Sequence, residues 1–184
     1  MEPWNPREPL AITPDEYERR VIEWLRQAGA TTSDLVVKHQ VQAVGSGGEY
    51  TLDGQVEFEI LGGARITVLV ECKKHGRPVS REVILGVHAK MAALRYQKAI
   101  VFSTSGFQKG AIEFASQNAV ALVVFVDGMA VFHTRSDDLG HPRHRSPWAP
   151  DFAGQMVTAI TNGINVNTID DGNIEPLRNW VIGI

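Results

Sequence analysis

The chain has 184 residues, the length of one ordinary domain with a short extension, and 43% apolar with 21% charged residues excludes wholesale disorder. Its 18 basic and 21 acidic side chains leave a formal charge of −3, which does not advertise a nucleic-acid binder, although partners respond to local clusters more than to totals. A single cysteine, Cys72, excludes a disulfide framework or a cysteine-based zinc site within one chain, no apolar run of about 18 residues offers a membrane span, and the N-terminal residues lack the apolar stretch of a signal peptide, so a cytoplasmic protein is expected.

Residues 1–12 carry three prolines and read as an irregular arm. Thr13-Pro14-Asp15-Glu16 starts a helix: Thr13 can cap, Pro14 suits the first turn, and Glu16 stands three residues after the cap. Tyr17, Val21, Trp24, Leu25 and Ala28 recur at helical spacing, and Gly29 ends the element. Leu35 to Val44 alternates and is rich in valine, as a strand is. Gly45 to Gly48 reads as a flexible break. Asp53 to Ile60 alternates, with Val56, Phe58 and Ile60 on one face. Gly62-Gly63 is a turn, and Ile66, Val68, Val70 and Cys72 form the apolar face of the next strand. Ser80 to Tyr96 is a helix with Val83, Val87, Met91 and Leu94 on one side. Ala99–Ser103 is a short buried strand, Phe107–Asn118 a helix, and Val120–Val126 a second buried strand. Val131–His133 is a candidate hairpin partner. Antiparallel hairpin strands followed by strands joined through helices predict an α/β fold, a mixed sheet covered by helices. Beyond about residue 135 Asp, Gly, Pro, His and Asn dominate, and periodicity persists only over Phe152–Ile164. The expected division is an arm over 1–12, a domain over 13–134 and an extension over 135–184.

The register of the central hairpin follows from its apolar faces. Val56, Phe58 and Ile60 must share a face with Ile66, Val68 and Val70, and directly opposed residues of an antiparallel pair share a face. With the turn near Gly62, Asp53 then lies opposite or close to Glu71, and Lys73 points the same way two residues on. Two carboxylates and a lysine gathered at the end of the apolar run Val68-Leu69-Val70 are expensive unless they pair or hold a cation. Convergent carboxylates with waters suit a hard cation of the magnesium type; a surface ion pair on a hairpin is the other reading.

Asp53, then 17 residues, then Glu71-Cys72-Lys73 resembles the PD-(D/E)xK nuclease signature. The surrounding residues resemble its Mrr-like restriction endonuclease branch. The matching pieces are Thr13 to Glu18 opening the first helix, Leu69 to Lys73, Arg77-Pro78-Val79, and Ser103 to Gln108 followed by Gly110, Ala111 and Ala115. The resemblance runs from about residue 13 to 126. It implies a restriction-endonuclease-like core of α-β-β-β-α-β order with helices on both faces of the sheet. It also implies a metal-dependent endodeoxyribonuclease of restriction or defence type. Asp53, Glu71 and the backbone carbonyl of Cys72 would hold Mg²⁺ or Mn²⁺, Lys73 would act on the water or the phosphate, and Glu18 would position a water or a second ion. Glu57, in Gly54-Gln55-Val56-Glu57, is the alternative acidic ligand. Asp53 and Glu57 are expected on one face but about 13 Å apart, so they cannot grip one ion together; the register favours Asp53.

The stretch 72–98 carries a local balance of +6, and Lys74, Arg77, Arg81 and Lys90 are its candidate contacts to the phosphates of double-stranded DNA. The resemblance also implies a polar residue near the site on the helix after the signature strand, the place that Lys90 occupies. Ser103-Thr104-Ser105 before a helix reads as capping or as a phosphate contact. His141 and His144 flank Pro142 and Arg143 in a loop with polyanion affinity rather than a metal site. A homodimer is expected because two sites cut two strands most simply, and a partner protein could supply targeting. The competing class is a non-catalytic nucleic-acid-binding or assembly module that keeps the fold, favoured by the charge of −3 and by the choice between Asp53 and Glu57.

Overall fold

The computed structural model of the chain describes residues 12–28, 35–60, 62–127, 152–161, 163–169 and 173–182. Val131–His133, His141 and His144 lie outside the described residues. Helix α1 spans Pro14–Ala28, and the backbone N–H of Glu16 donates to Thr13 Oγ1 at 3.1 Å, the expected cap. Strands β1 (Val36–Gly45), β2 (Gly48–Ile60) and β3 (Ala64–Lys73) follow, then α2 (Arg81–Leu94), β4 (Lys98–Ser103), α3 (Lys109–Gln117) and β5 (Val120–Asp127). The chain continues with β6 (Phe152–Ile160), β7 (Gly163–Ile169) and helix α4 (Glu175–Ile182).

The seven strands of the described residues lie in one sheet in chain order. The pairs β1–β2, β2–β3, β5–β6 and β6–β7 are antiparallel, while β3–β4 and β4–β5 are parallel, with α2 and α3 as their crossovers. The hydrophobic runs of β3, β4 and β5 fit strands buried on both faces. On one face Val68, Val70, Cys72, Ile100, Phe102, Val123 and Phe125 pack with α1 and with Leu177 of α4. On the other, Leu69, Ala99, Val101 and Leu122 pack with Ile84, Val87 and Met91 of α2 and Ala111, Ile112 and Ala115 of α3. Each fully buried Val, Leu, Ile or Phe contributes about 1.5–3 kcal/mol. The buried stripe of α2 includes Ile84, whereas Val83 is only partly buried.

Two features of the β1–β2 hairpin depart from the sequence expectations. Gly45 to Gly48 is not a flexible break. Gly45 pairs with Gly48 across a two-residue turn, and Gly47 takes φ 99°. The turn is docked: the N–H of Ser46 donates to the carbonyl of Ala93 at 2.9 Å, and a Cβ on Gly45 would meet that oxygen at 2.6 Å. The second departure is a change of face. Leu52 and Val56 are four residues apart and would share a face in a regular strand, yet Leu52 enters the α2 layer and Val56 the α1 layer. On β1, Val41 and Val37 divide in the same way. Between them Gln40 has φ 49°, a left-handed residue within a strand, and its neighbours His39 and Val41 pair with Gly54 and Leu52. The hairpin therefore rotates at Gln40 and Asp53–Gly54.

Candidate active site

The apolar alternation of β2 and β3 sets the register as the faces require. Gly54 pairs with Val70 and Val56 with Val68, and Gly54–Val70 is the last pair of the register, so Asp53 and Glu71 each stand one residue beyond it. Val68, Leu69 and Val70 are fully buried, which carries Glu71 into the edge of the interior. There the N–H of Cys72 donates to Asp53 Oδ2 at 2.7 Å and ties the two strands together. Glu71 Oε1 accepts from Lys73 Nζ at 2.5 Å and Oε2 from Lys90 Nζ at 2.8 Å. Asp53, Glu71 and Lys73 thus lie together, and Lys90 reaches the same group from α2.

The two carboxylates sit in different electrostatic states. Burial pushes Asp53 above the usual carboxylate range; the Cys72 N–H opposes this, and the charges of Glu71 and Glu18 add to it. Burial would raise Glu71 too, but the hydrogen-bonded ammoniums of Lys73 and Lys90 outweigh it and hold Glu71 low. Lys73 is raised in turn: burial works against its charge, and the Glu71 carboxylate overrides that. Burial and two neighbouring carboxylates outweigh the Cys72 N–H and the Lys73 ammonium at Asp53, so its negative charge is only partly compensated. A residue's N–H and C=O leave a strand on the same edge, so the Cys72 carbonyl also faces the β2 side. These are hard oxygen donors, and their surplus charge fits a magnesium-type cation. Among the described residues no group of three His, Cys, Asp or Glu side chains forms a cage for a metal, so water would complete any coordination.

Glu18 approaches from α1 close enough for its charge to act on Asp53 and Cys72. His39 Nε2 stands 3.5 Å from Glu18 Oε2, an ion-pair distance without hydrogen-bond geometry. No sequence motif marks His39; its pairing with Gly54, beside Asp53, is a consequence of the β1–β2 register. Glu57 lies elsewhere. It bonds Lys38 Nζ at 2.6 Å and accepts from Gln55, which receives the Tyr96 hydroxyl at 2.5 Å. The expectation that Asp53 and Glu57 share a face is corrected, because the hairpin rotates between them.

The basic residues divide. Lys74, Arg77 and Arg81 follow β3, with Arg77 and Arg81 exposed and Lys74 half-buried. Their loop is stitched to the β4–α3 loop. Val79 bridges to Phe107, Thr104 Oγ1 donates to the His75 carbonyl at 3.0 Å, and Ser105 Oγ to the Arg77 carbonyl at 2.5 Å. Ser103 Oγ is likewise occupied, donating to the Gly106 carbonyl at 3.3 Å. Lys90 leaves the exposed basic group for Glu71. Its position three residues after Val87 on the buried stripe is the sequence signal for that placement.

A family profile for the restriction endonuclease Mrr catalytic domain matches residues 9–133. The type IV methyl-directed restriction enzyme EcoKMrr of Escherichia coli strain K12 is 27% identical over 124 residues, 67% of this chain and 38% of that protein. The chain therefore spans well under half the length of that relative. A crystal structure of AF1548, a protein of unknown function, aligns with a TM-score of 0.50 and 19% identity over 60% of this chain and 57% of that one. At that identity the likeness concerns the fold alone.

Proposed function

We propose, on the premise that this chain belongs to the Mrr-type restriction endonuclease family, that it is a divalent-metal-dependent endonuclease hydrolysing phosphodiester bonds of double-stranded DNA. The observation that carries this reading is the convergence of Asp53, Glu71 and Lys73 at the edge of the core, with Asp53 raised by burial and by its acidic neighbours. Asp53, Glu71 and the Cys72 carbonyl hold Mg²⁺ or Mn²⁺. When bound, the ion supplies Lewis acidity toward the phosphate and toward a nucleophilic water. The chain's own groups do the rest. The Cys72 N–H fixes the Asp53 carboxylate on β3. Lys73, kept protonated by Glu71, donates to a phosphate oxygen and offsets the charge that develops there. Glu18 orients the attacking water from α1.

Lys74, Arg77 and Arg81 stand just past the carboxyl end of β3 and seat the duplex by its phosphates, which positions it without reading bases. The methyl-directed activity named for the E. coli relative makes methylated duplex DNA the first substrate to try. Two copies would cut both strands, and sequence outside the matched region or a partner protein would supply targeting. Plasmid DNA, methylated and unmethylated, incubated with Mg²⁺ or Mn²⁺ should be nicked or linearised. EDTA and Lys73→Ala should each abolish this. Absence of cleavage across metals and methylation states would replace this reading with a non-catalytic nucleic-acid-binding module.

A further inference from the structure

Lys90 belongs to α2, yet its ammonium is 2.8 Å from Glu71 Oε2, while Lys73 from the strand itself is 2.5 Å from Oε1. Each oxygen of one carboxylate is held by its own lysine. These are not solvated surface pairs, because the lysine side chains are 24% exposed and the carboxylate 9%. Charges withdrawn from water to that degree act on one another several times more strongly than exposed ones. The lysines also differ. Lys73 acts electrostatically on Asp53 as well as on Glu71, whereas Lys90 takes the other oxygen of Glu71.

With Glu18, whose charge also acts on Asp53, the formal charges of Asp53, Glu71, Lys73 and Lys90 sum to −1. With Lys73 alone the group would carry −2 and would attract a divalent ion more strongly. With both lysines, a divalent ion leaves the group at +1, and an incoming anion offsets that excess. A phosphodiester brings a negative charge to that place and accepts hydrogen bonds from an ammonium. Building on the nuclease reading above, we propose that Lys90 is an active-site residue that ties cation binding at Glu71 to the presence of DNA. Without DNA its ammonium neutralises part of the Glu71 charge and weakens the hold on a cation. When a backbone phosphate enters, that ammonium gains a second anionic partner and Glu71 is released to the cation. Cation and DNA then favour each other's binding, by the same factor in each direction.

The test uses the full chain, Ca²⁺ as the probe, and two variants. Calorimetric titration of Ca²⁺ without DNA should show Lys90→Gln binding about tenfold more tightly than wild type, since one repelling charge is gone. Lys90→Arg, which keeps the charge, should match wild type. The affinity for a short duplex, measured with and without Ca²⁺, should rise less on Ca²⁺ addition for Lys90→Gln than for wild type, by a similar factor. A purely structural lysine would lower the melting temperature without tightening Ca²⁺, which would count against the proposal. Unchanged or weaker Ca²⁺ binding by Lys90→Gln, with wild type binding the ion, would overturn the role of Lys90 and leave the nuclease reading intact. No binding of Ca²⁺ or Mn²⁺ by either protein, with or without DNA, would overturn both. Should Lys90→Gln fail to fold, Lys90→Met, which keeps the aliphatic stem against its neighbours, takes its place.

Discussion

Asp53 and Glu57 leave the same strand four residues apart, and the protein treats them in opposite ways. Glu57 is fully accommodated. Its hydrogen bond to Lys38 leads the effects that hold it below the usual range, outweighing burial, and Gln55 and Tyr96 extend the network inward. Asp53 receives one backbone N–H, is raised by burial, and faces Glu71 and Glu18. A satisfied carboxylate stabilises the fold and has no further capacity to use. A carboxylate left under strain costs the fold something, and an added cation recovers that cost. Glu57 is therefore read as structure and Asp53 as chemistry.

The widest separation between them should appear in cleavage. Asp53→Asn keeps an acceptor for the Cys72 N–H but removes the charge that would hold a cation. It should cost about a thousandfold or more in the rate of plasmid cleavage, roughly 4 kcal/mol of transition-state stabilisation. Glu57→Gln should stay within about threefold of wild type. The reverse ranking would assign the ligand to Glu57.

Stability should separate the two regions in the opposite sense. Gln55→Leu strands the Tyr96 hydroxyl and removes a donor from Glu57, a loss of about 1–3 kcal/mol. At this chain length that lowers the melting temperature by about 2–10 °C. Asp53→Asn relieves crowded negative charge and should raise the metal-free melting temperature by about 2–4 °C. Added Mg²⁺ should then raise wild type and leave the variant unmoved. A destabilised Asp53→Asn would mean that Asp53 is a structural anchor.

Acid should reverse the signs in turn. The native pKa of Asp53 lies above its unfolded value, so its penalty is present at neutral pH and fades as pH falls through the native pKa. The gain from Asp53→Asn should shrink over that range. The native pKa of Glu57 lies below its unfolded value, so its contribution is present above the unfolded pKa and is lost as pH falls toward the native one. The cost of Glu57→Gln should fade there too, with opposite sign. Denaturant melts of wild type and both variants between about pH 7 and 3.5 read both trends; parallel curves would break the contrast.

The smallest effects belong to the basic loop. Replacing Arg77 or Arg81 by alanine should weaken duplex binding and reduce the slope of log affinity against log salt by about 0.9 for each phosphate no longer neutralised. An unchanged slope would exclude that arginine from the DNA-binding surface.

Much of the sheet is legible in the sequence because alternation reports burial directly. Val56, Phe58 and Ile60 against Ile66, Val68 and Val70 permit one parity of pairing, and it brings Asp53 and Glu71 to the same end of the hairpin. The same rule fails for Asp53 and Glu57, because it assumes an unbroken strand. The break is at Gln40, on the neighbouring strand, and glutamine carries none of the marks of a left-handed residue that Gly, Asn or Asp would. For a related reason the sequence puts Lys90 among the basic residues and near the site without naming its partner. Helical spacing tells which side chains share a stripe but not what that stripe meets. The contact with Glu71 depends on how α2 lies across β3.

The features that follow from the residues alone are local and periodic: the cap at Thr13, the strand alternation, the hairpin register, and Glu71 at the end of a buried run. These follow from near-neighbour sterics and from the free energy of burying apolar side chains, both of which act along the chain. Packing between elements sets which charges meet: Lys90 with Glu71, Glu18 with Asp53, and Glu57 with Lys38 instead of the site. Those pairings join residues of different elements. They depend on helix placement and on one rotated hairpin, because an ion pair is set by a distance of a few ångströms that no spacing within a single strand or helix encodes.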